Sequence, residues 1–119
     1  MELQITEEQQ YYIITVSGDL DASSSVKLDD ELTSAVEKGK NVILIDFSGL
    51  NYISSPGIGV FTSRLEDCES GKLFLAIYGV SDKVMKVFKL LGLDKLMPIL
   101  NTKDDAKRHV QSLQKKSKL

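Results

Sequence analysis

Apolar and polar positions alternate at Leu3 and Ile5, break over Glu7 to Gln10, and give way to the β-branched and aromatic run Tyr11 to Val16, which ends at Ser17-Gly18. Such a pattern predicts two strands joined as a hairpin. From Ser23 to Lys38 the period changes. Leu28, Leu32, Ala35 and Val36 fall at helical spacing behind a serine-rich start, and Gly39 closes the segment, so a first amphipathic helix is expected. Val42 to Phe47 is a short, nearly continuous apolar run, which suits a central strand covered on both faces. Residues 48–55 read as loop. A second helix is expected from Pro56 to Glu69, with Val60, Phe61, Leu65 and Cys68 on one face and Gly71 behind it.

Leu73 to Tyr78 is a further buried strand. Ser81 then opens a third helix carrying Val84, Val87, Phe88 and Leu91, stopped by Gly92. Met97 to Leu100 has room only for a short strand. Thr102 followed by Asp105 resembles a capping box for a last helix with Ala106, Val110 and Leu113 on its apolar face. The order ββαβαβαβα predicts one mixed, mostly parallel sheet of about five strands with four helices and right-handed crossovers, an α/β fold. Helices can then pack on one face of the sheet or on both.

The stretch Asp46-Phe47-Ser48-Gly49-Leu50-Asn51-Tyr52-Ile53-Ser54-Ser55-Pro56-Gly57-Ile58-Gly59-Val60 departs most from ordinary patterning. It leaves the C-terminal end of a central strand, where sites gather in α/β sheets. Locally, Ser55 suits an N-cap and Pro56 suits the first helical position, where a missing amide hydrogen costs nothing. Gly57 and Gly59 each cost about 1 kcal/mol of helix propensity relative to Ala. They either allow close packing on the sheet or keep the helix start bare for another surface. The G-x-x-x-x-G-K-[ST] spacing of a phosphate loop is missing and no lysine is near. A nucleophilic Ser54 or Ser55 lacks an activating base, because the only histidine, His109, falls on the last helix.

Composition narrows the chemistry further. One cysteine among 119 residues allows no intrachain disulfide and no Cys-based zinc site, and one histidine allows no His-rich metal cluster. Cys68 reads as a small core residue. Neither catalysis, a metal nor a cofactor is expected. No apolar run approaches the roughly 20 residues of a membrane span, and Glu2, Glu7 and Glu8 occupy the start in place of a signal sequence. A cytoplasmic chain with no membrane contact is the expectation. The formal net charge of -2 hides an asymmetry: residues 103–119 hold six Lys/Arg against two Asp, leaving a net -6 for residues 1–102. The lysines from Lys115 to Lys118 carry no interleaved aromatic residue, so they read as a solvated tail and not as a nucleic-acid surface.

Two motifs together resemble a known family. Val16-Ser17-Gly18-Asp19-Leu20-Asp21-Ala22 is similar to a glycine, acid, apolar, Asp turn, and Asp46 to Gly59 is similar to the Asp-Leu-Ser to Ser-Gly-Leu/Ile-Gly signature, of STAS domains of the bacterial anti-sigma factor antagonist type. The resemblance covers nearly the whole chain and implies a STAS domain over residues 1–114 with a basic solvated tail at 115–119. It implies a non-enzymatic switch: the unmodified antagonist binds an anti-sigma factor that is itself a serine kinase, freeing the sigma factor, and serine phosphorylation at the second helix's start ends binding. The position that carries the acceptor serine is Pro56 here, and Ser54 stands where many relatives have Asp. Ser55 and, second, Ser54 are therefore the phosphorylation candidates. The implied contact surface is Asp19, Asp21, Ser23, Tyr52, Ser54, Ser55, Pro56, Gly57 and Ile58, on a monomer or weak dimer. For Asp21 an alternative role is capping the first helix, for Tyr52 packing under the loop, and for Asp46 anchoring loop amides. Alternative functions are a STAS subunit of another assembly, stressosome-like or part of a lipid-transport ATPase, or a small-molecule or nucleotide sensor.

Overall fold

A computed structural model describes residues 1–117. Its accessible surface of 6673 Å² is close to the about 6,400 Å² that a chain of this mass should retain after folding. Strands β1 (Glu2–Glu8) and β2 (Tyr11–Leu20) form the expected antiparallel hairpin, with Glu8 opposite Tyr11 at its closed end. Helix α1 (Ala22–Glu37) leads to β3 (Val42–Ile53), helices α2 (Ser55–Thr62) and α3 (Leu65–Glu69) lead to β4 (Phe74–Tyr78), and α4 (Asp82–Leu90) and α5 (Leu93–Leu96) lead to β5 (Ile99–Leu100). Helix α6 (Lys103–Ser117) follows.

The five strands lie in the order β1-β2-β3-β4-β5, with β2 to β5 parallel. Each crossover steps the same way along the sheet, so right-handed connections place every crossover helix on one face. Two cores result. The larger joins Ile14, Ile45, Phe47 and Ile77 to Leu28, Leu32, Phe61, Phe88 and Leu93 of the crossover helices. The smaller, on the opposite face, joins Tyr11, Ile13, Leu44 and Ala76 to Ala106 and Val110 of α6. Alternate residues of β3 from Val42 to Ile45 and of β4 from Leu75 to Tyr78 thus feed different cores, which is why these runs are apolar throughout.

Four expectations are corrected. The described residues contain six helices where four were expected. The rod expected over Pro56 to Glu69 breaks at Ser63 and Arg64, where Thr62 Oγ1 and Ser63 Oγ bond back to the Gly59 and Val60 carbonyls at 3.3 and 2.9 Å. There the Arg64 guanidinium turns to α1, donating to Asp29 Oδ1 at 2.7 Å and Thr33 Oγ1 at 2.8 Å. The second addition, α5, is a single turn after Gly92, whose φ of +77° ends α4 as expected. Residues 48–53 are strand, not loop: β3 carries two one-residue bulges against β2, between the Asp46 and Gly49 pairings and between the Leu50 and Tyr52 pairings. Finally, Lys115 and Lys116 lie on the last turn of α6, not in a tail. Lys118 and Leu119 lie outside the described residues.

Candidate functional site

The two bulges bring the ends of β2 and β3 together with the starts of α1 and α2. Asp19 pairs with Tyr52 and Leu20 with Ile53 in register. The chain then stitches itself across: the Ser54 amide donates to the Leu20 carbonyl at 2.9 Å and the Ser54 hydroxyl donates to the same oxygen at 3.0 Å. Ser54 is the N-cap of α2, with φ -96° and ψ 171°, and its Oγ accepts the Gly57 amide at 3.3 Å. The expected cap, Ser55, is already helical. This shift of one residue follows from Leu20, whose carbonyl selects Ser54 as the residue that stays extended.

The shift separates the two serines. The Ser54 hydroxyl is half-buried and committed as donor and acceptor. Ser55 is exposed, and its hydroxyl makes no hydrogen bond among the described residues. Pro56 has no amide hydrogen and the Gly57 amide is taken by Ser54, so of the first three helical residues only Ser55 offers an open N–H. The helix start is a weak anion cradle, with one open amide in place of the bare row that one of the two readings of Gly57 and Gly59 implied. Replacing the cap should show the difference directly. We expect Ser54→Ala to cost about 1 to 2 kcal/mol and Ser55→Ala under about 0.5 kcal/mol in urea denaturation, and equal losses would contradict the cap assignment.

The neighbouring turn is also built by side-chain caps. Asp21 caps α1: its Oδ1 accepts the Ser24 amide at 3.0 Å, while Ser24 Oγ accepts the Asp21 amide at 2.8 Å. Ser23 Oγ donates to Asp21 Oδ1 at 3.0 Å. The Ser24 amide first, then the Ser23 and Ser24 hydroxyls, hold the Asp21 carboxyl below its usual range. Asp19, Asp21 and Ser23 are all exposed. Tyr52 is 53% exposed, so it does not pack under the loop. Ile58 is a correction: it is 8% exposed and belongs to the larger core, not to a contact patch. Asp46 accepts the Ser48 amide at 2.9 Å, at the first bulge of β3.

Gly57 takes the close-packing role, while Gly59 stands in open space. A Cβ on Gly57 would lie 2.9 Å from Ile53 Cγ1 and 3.0 Å from the Leu20 carbonyl, whereas one on Gly59 would meet nothing within 4 Å. Gly59 instead floors a groove of about 320 Å³ between α1 and α2, walled by Val26, Asp29, Pro56, Val60 and Ser63. Val26, 59% exposed, was missed in the sequence reading. Its signal was available: it is the one β-branched aliphatic residue of α1 that falls off the stripe of Leu28, Leu32, Ala35 and Val36.

Among the described residues no imidazole stands at this edge. His109 lies on α6, across the sheet from α2. Burial pushes the Cys68 thiol up to about 11, which keeps it protonated. Among the described residues no group of three or more His, Cys, Asp or Glu is placed to hold a metal ion, and no helix is long and apolar enough to cross a membrane.

The site's two turns lie within the part of the chain that a family model matches. The STAS domain profile matches residues 2–106. The chain belongs to the STAS domain family. Within it, an anti-sigma-B factor antagonist of Staphylococcus aureus (strain NCTC 8325 / PS 47) is 28% identical over 99 residues, covering 83% of this chain and 92% of that protein. The structure of an anti-sigma factor antagonist from Mycobacterium paratuberculosis superposes with a TM-score of 0.81 at 21% identity, covering 92% of this chain and 93% of that one. The Bacillus protein SpoIIAA in its phosphorylated form gives 0.67 at 22% identity, covering 92% and 99%. These structural likenesses show a shared STAS fold.

Proposed function

We propose that this STAS domain is an anti-sigma factor antagonist that binds an anti-sigma factor of serine-kinase type through the ledge formed by Asp19, Asp21, Ser23, Tyr52, Ser55 and Pro56. The observation that carries the reading is the convergence, on one exposed edge, of the two turns whose residues resemble the family's motifs. Its relatives are named as antagonists, and the ledge offers an aromatic ring, two carboxylates and exposed hydroxyls with no imidazole beside them. Such a surface suits recognition and not turnover.

Phosphorylation of Ser55 is the switch in this reading. Its hydroxyl is exposed, while that of Ser54 is tied to Leu20 and Gly57. A phosphate adds about -1.5 to -2 charges. Beside Asp19 and Asp21, with one open amide to receive it, that charge gains little from the helix and confronts the partner instead. The fold stays intact and the surface changes.

The test uses the purified chain and the anti-sigma factor kinase of the same cell. The unmodified chain should form a stable complex and Ser55→Asp should weaken it at least about tenfold, roughly 1.4 kcal/mol. With ATP one phosphate should be added, and Ser55→Ala should abolish it. Modification persisting in the Ser54→Ala, Ser55→Ala double variant, or wild-type affinity in Ser55→Asp, sinks the switch. No complex with the unmodified chain sinks the antagonist reading itself.

A further inference from the structure

Among the described residues, three of the six large apolar residues left in solvent fall within seven positions of one another at the corner between α4 and α5. Leu90 is 85% exposed, Leu91 49% and Leu96 54%. Four lysines, Lys83, Lys86, Lys89 and Lys95, surround them, all exposed and none in an ion pair among the described residues. Asp82 and Asp94 are the only acids from residue 82 to residue 96, leaving a local net charge of +2 in a body that is otherwise acidic. The lysines at 83, 86 and 89 recur every third residue and Leu90 continues the stripe one turn beyond Lys86, so charge and apolar side chains share one face roughly 10 Å long. Val84 and Phe88 take the opposite, buried face. Folding therefore does not need the exposed leucines.

We propose that this corner is a peripheral docking surface for an anionic bilayer. Two features favour lipid over a protein partner. The patch holds leucine and lysine without a single aromatic or arginine on its exposed face, whereas protein interfaces favour aromatics, Met and Arg and are depleted of lysine. Anionic headgroups attract lysine without demanding fixed geometry, and its flexible stem lets the ammonium stay with the headgroups while leucines enter the boundary. Because α4 begins at the C-terminal end of β4, its far end lies opposite the edge that carries Ser55. A bilayer held at the corner leaves the ledge facing outward. A surface contact needs no apolar span, so the missing span that suggested no membrane contact does not bear on it.

The full chain should co-sediment with vesicles containing phosphatidylglycerol and not with pure phosphatidylcholine vesicles. Binding should fall at least about threefold when salt is raised from about 0.05 to 0.5 M, as screening of the lysines requires. Leu90→Asp with Leu91→Asp should reduce it about tenfold or more while keeping the folded circular dichroism spectrum, since Leu90 is 85% and Leu91 49% exposed. Lys115→Glu with Lys116→Glu, on α6, should leave it unchanged. No co-sedimentation at millimolar phosphatidylglycerol overturns the proposal. So does equal binding to both vesicle types, or loss in the α6 variant with retention in the Leu90, Leu91 variant. An acidic protein segment that binds the corner while vesicles do not would assign it to a protein instead.

Discussion

Phe47→Ala should be among the most damaging single substitutions in this domain, costing about 3 to 5 kcal/mol in urea denaturation. The ring is fully buried. It stands edge-on to Phe61 at 5.6 Å between centroids and tilted against Phe88 at 6.0 Å, so it joins β3 to both α2 and α4. Offset and edge-to-face pairs add to simple area burial. Truncation would open a cavity bordered by three separate elements, none of which can collapse without moving a strand or a helix. Set against a typical total of about 5 to 15 kcal/mol, the loss should leave the domain partly unfolded near physiological temperature. Phe47→Leu, which keeps most of the volume, should lose much less. A midpoint shift in Phe47→Ala equivalent to under about 2 kcal/mol would show that the aromatic cluster is not the keystone described here.

Gly57→Ala and Gly59→Ala should move stability in opposite directions although the two glycines are one residue apart in the same helix. At Gly57 the added methyl would lie 2.9 Å from Ile53 Cγ1, 3.0 Å from the Leu20 carbonyl and 3.1 Å from Leu20 Cγ. The carbonyl cannot withdraw easily, because it receives both the amide and the hydroxyl of Ser54. Overpacking of up to about 3 kcal/mol, partly offset by up to about 1 kcal/mol of helix propensity, leaves a net loss of about 2 kcal/mol. At Gly59 the methyl enters open space and only the propensity gain survives, about 0.5 to 1 kcal/mol of stabilisation. Paired urea titrations decide the point. A stabilised Gly57→Ala would mean that α2 does not sit as close to β2 as described.

Local signals carried much of this fold into the sequence. Ser81 before Val84, Gly92 after Leu91 and Thr102 before Asp105 act within a few residues of themselves, and all three occupy the capping or stopping positions read from the chain. The features that escaped depend on distant partners. Phe47, Leu50 and Ile53 all face the larger core at a spacing of three, because each bulge inserts one residue and turns the period of two into three. No strand pattern survives such a change, so the segment looks like loop. The cap of α2 is set by the Leu20 carbonyl, 34 positions away from Ser54, and the break before α3 by Arg64 reaching 35 positions back to Asp29. In the basic segment, Lys103 and Lys107 look free in sequence. Both in fact pair with Glu8 at the hairpin turn, and Lys107 also lies 5.1 Å from the Tyr11 ring centre. Those contacts hold α6 to the sheet. Of the ledge, the backbone turns were legible from their Gly, Asp and Ser spacing. Which serine hydroxyl stays free was not, since that depends on the other chain turn.

The monotonic strand order has a consequence for the kind of recognition open to this domain. In doubly wound sheets the chain reverses direction once, and the diverging connections at that reversal leave a crevice into which a nucleotide or metabolite fits. Here the chain never reverses across the sheet. Without that reversal no crevice opens between diverging connections, and the edge carrying Asp19, Tyr52 and Ser55 is an exposed terrace. A terrace encloses a small molecule less than such a crevice does, the neighbouring groove between α1 and α2 aside. It can, however, be overlaid by the broad face of another macromolecule. Changes of one or two residues along it can then redirect partner choice without disturbing the layers beneath.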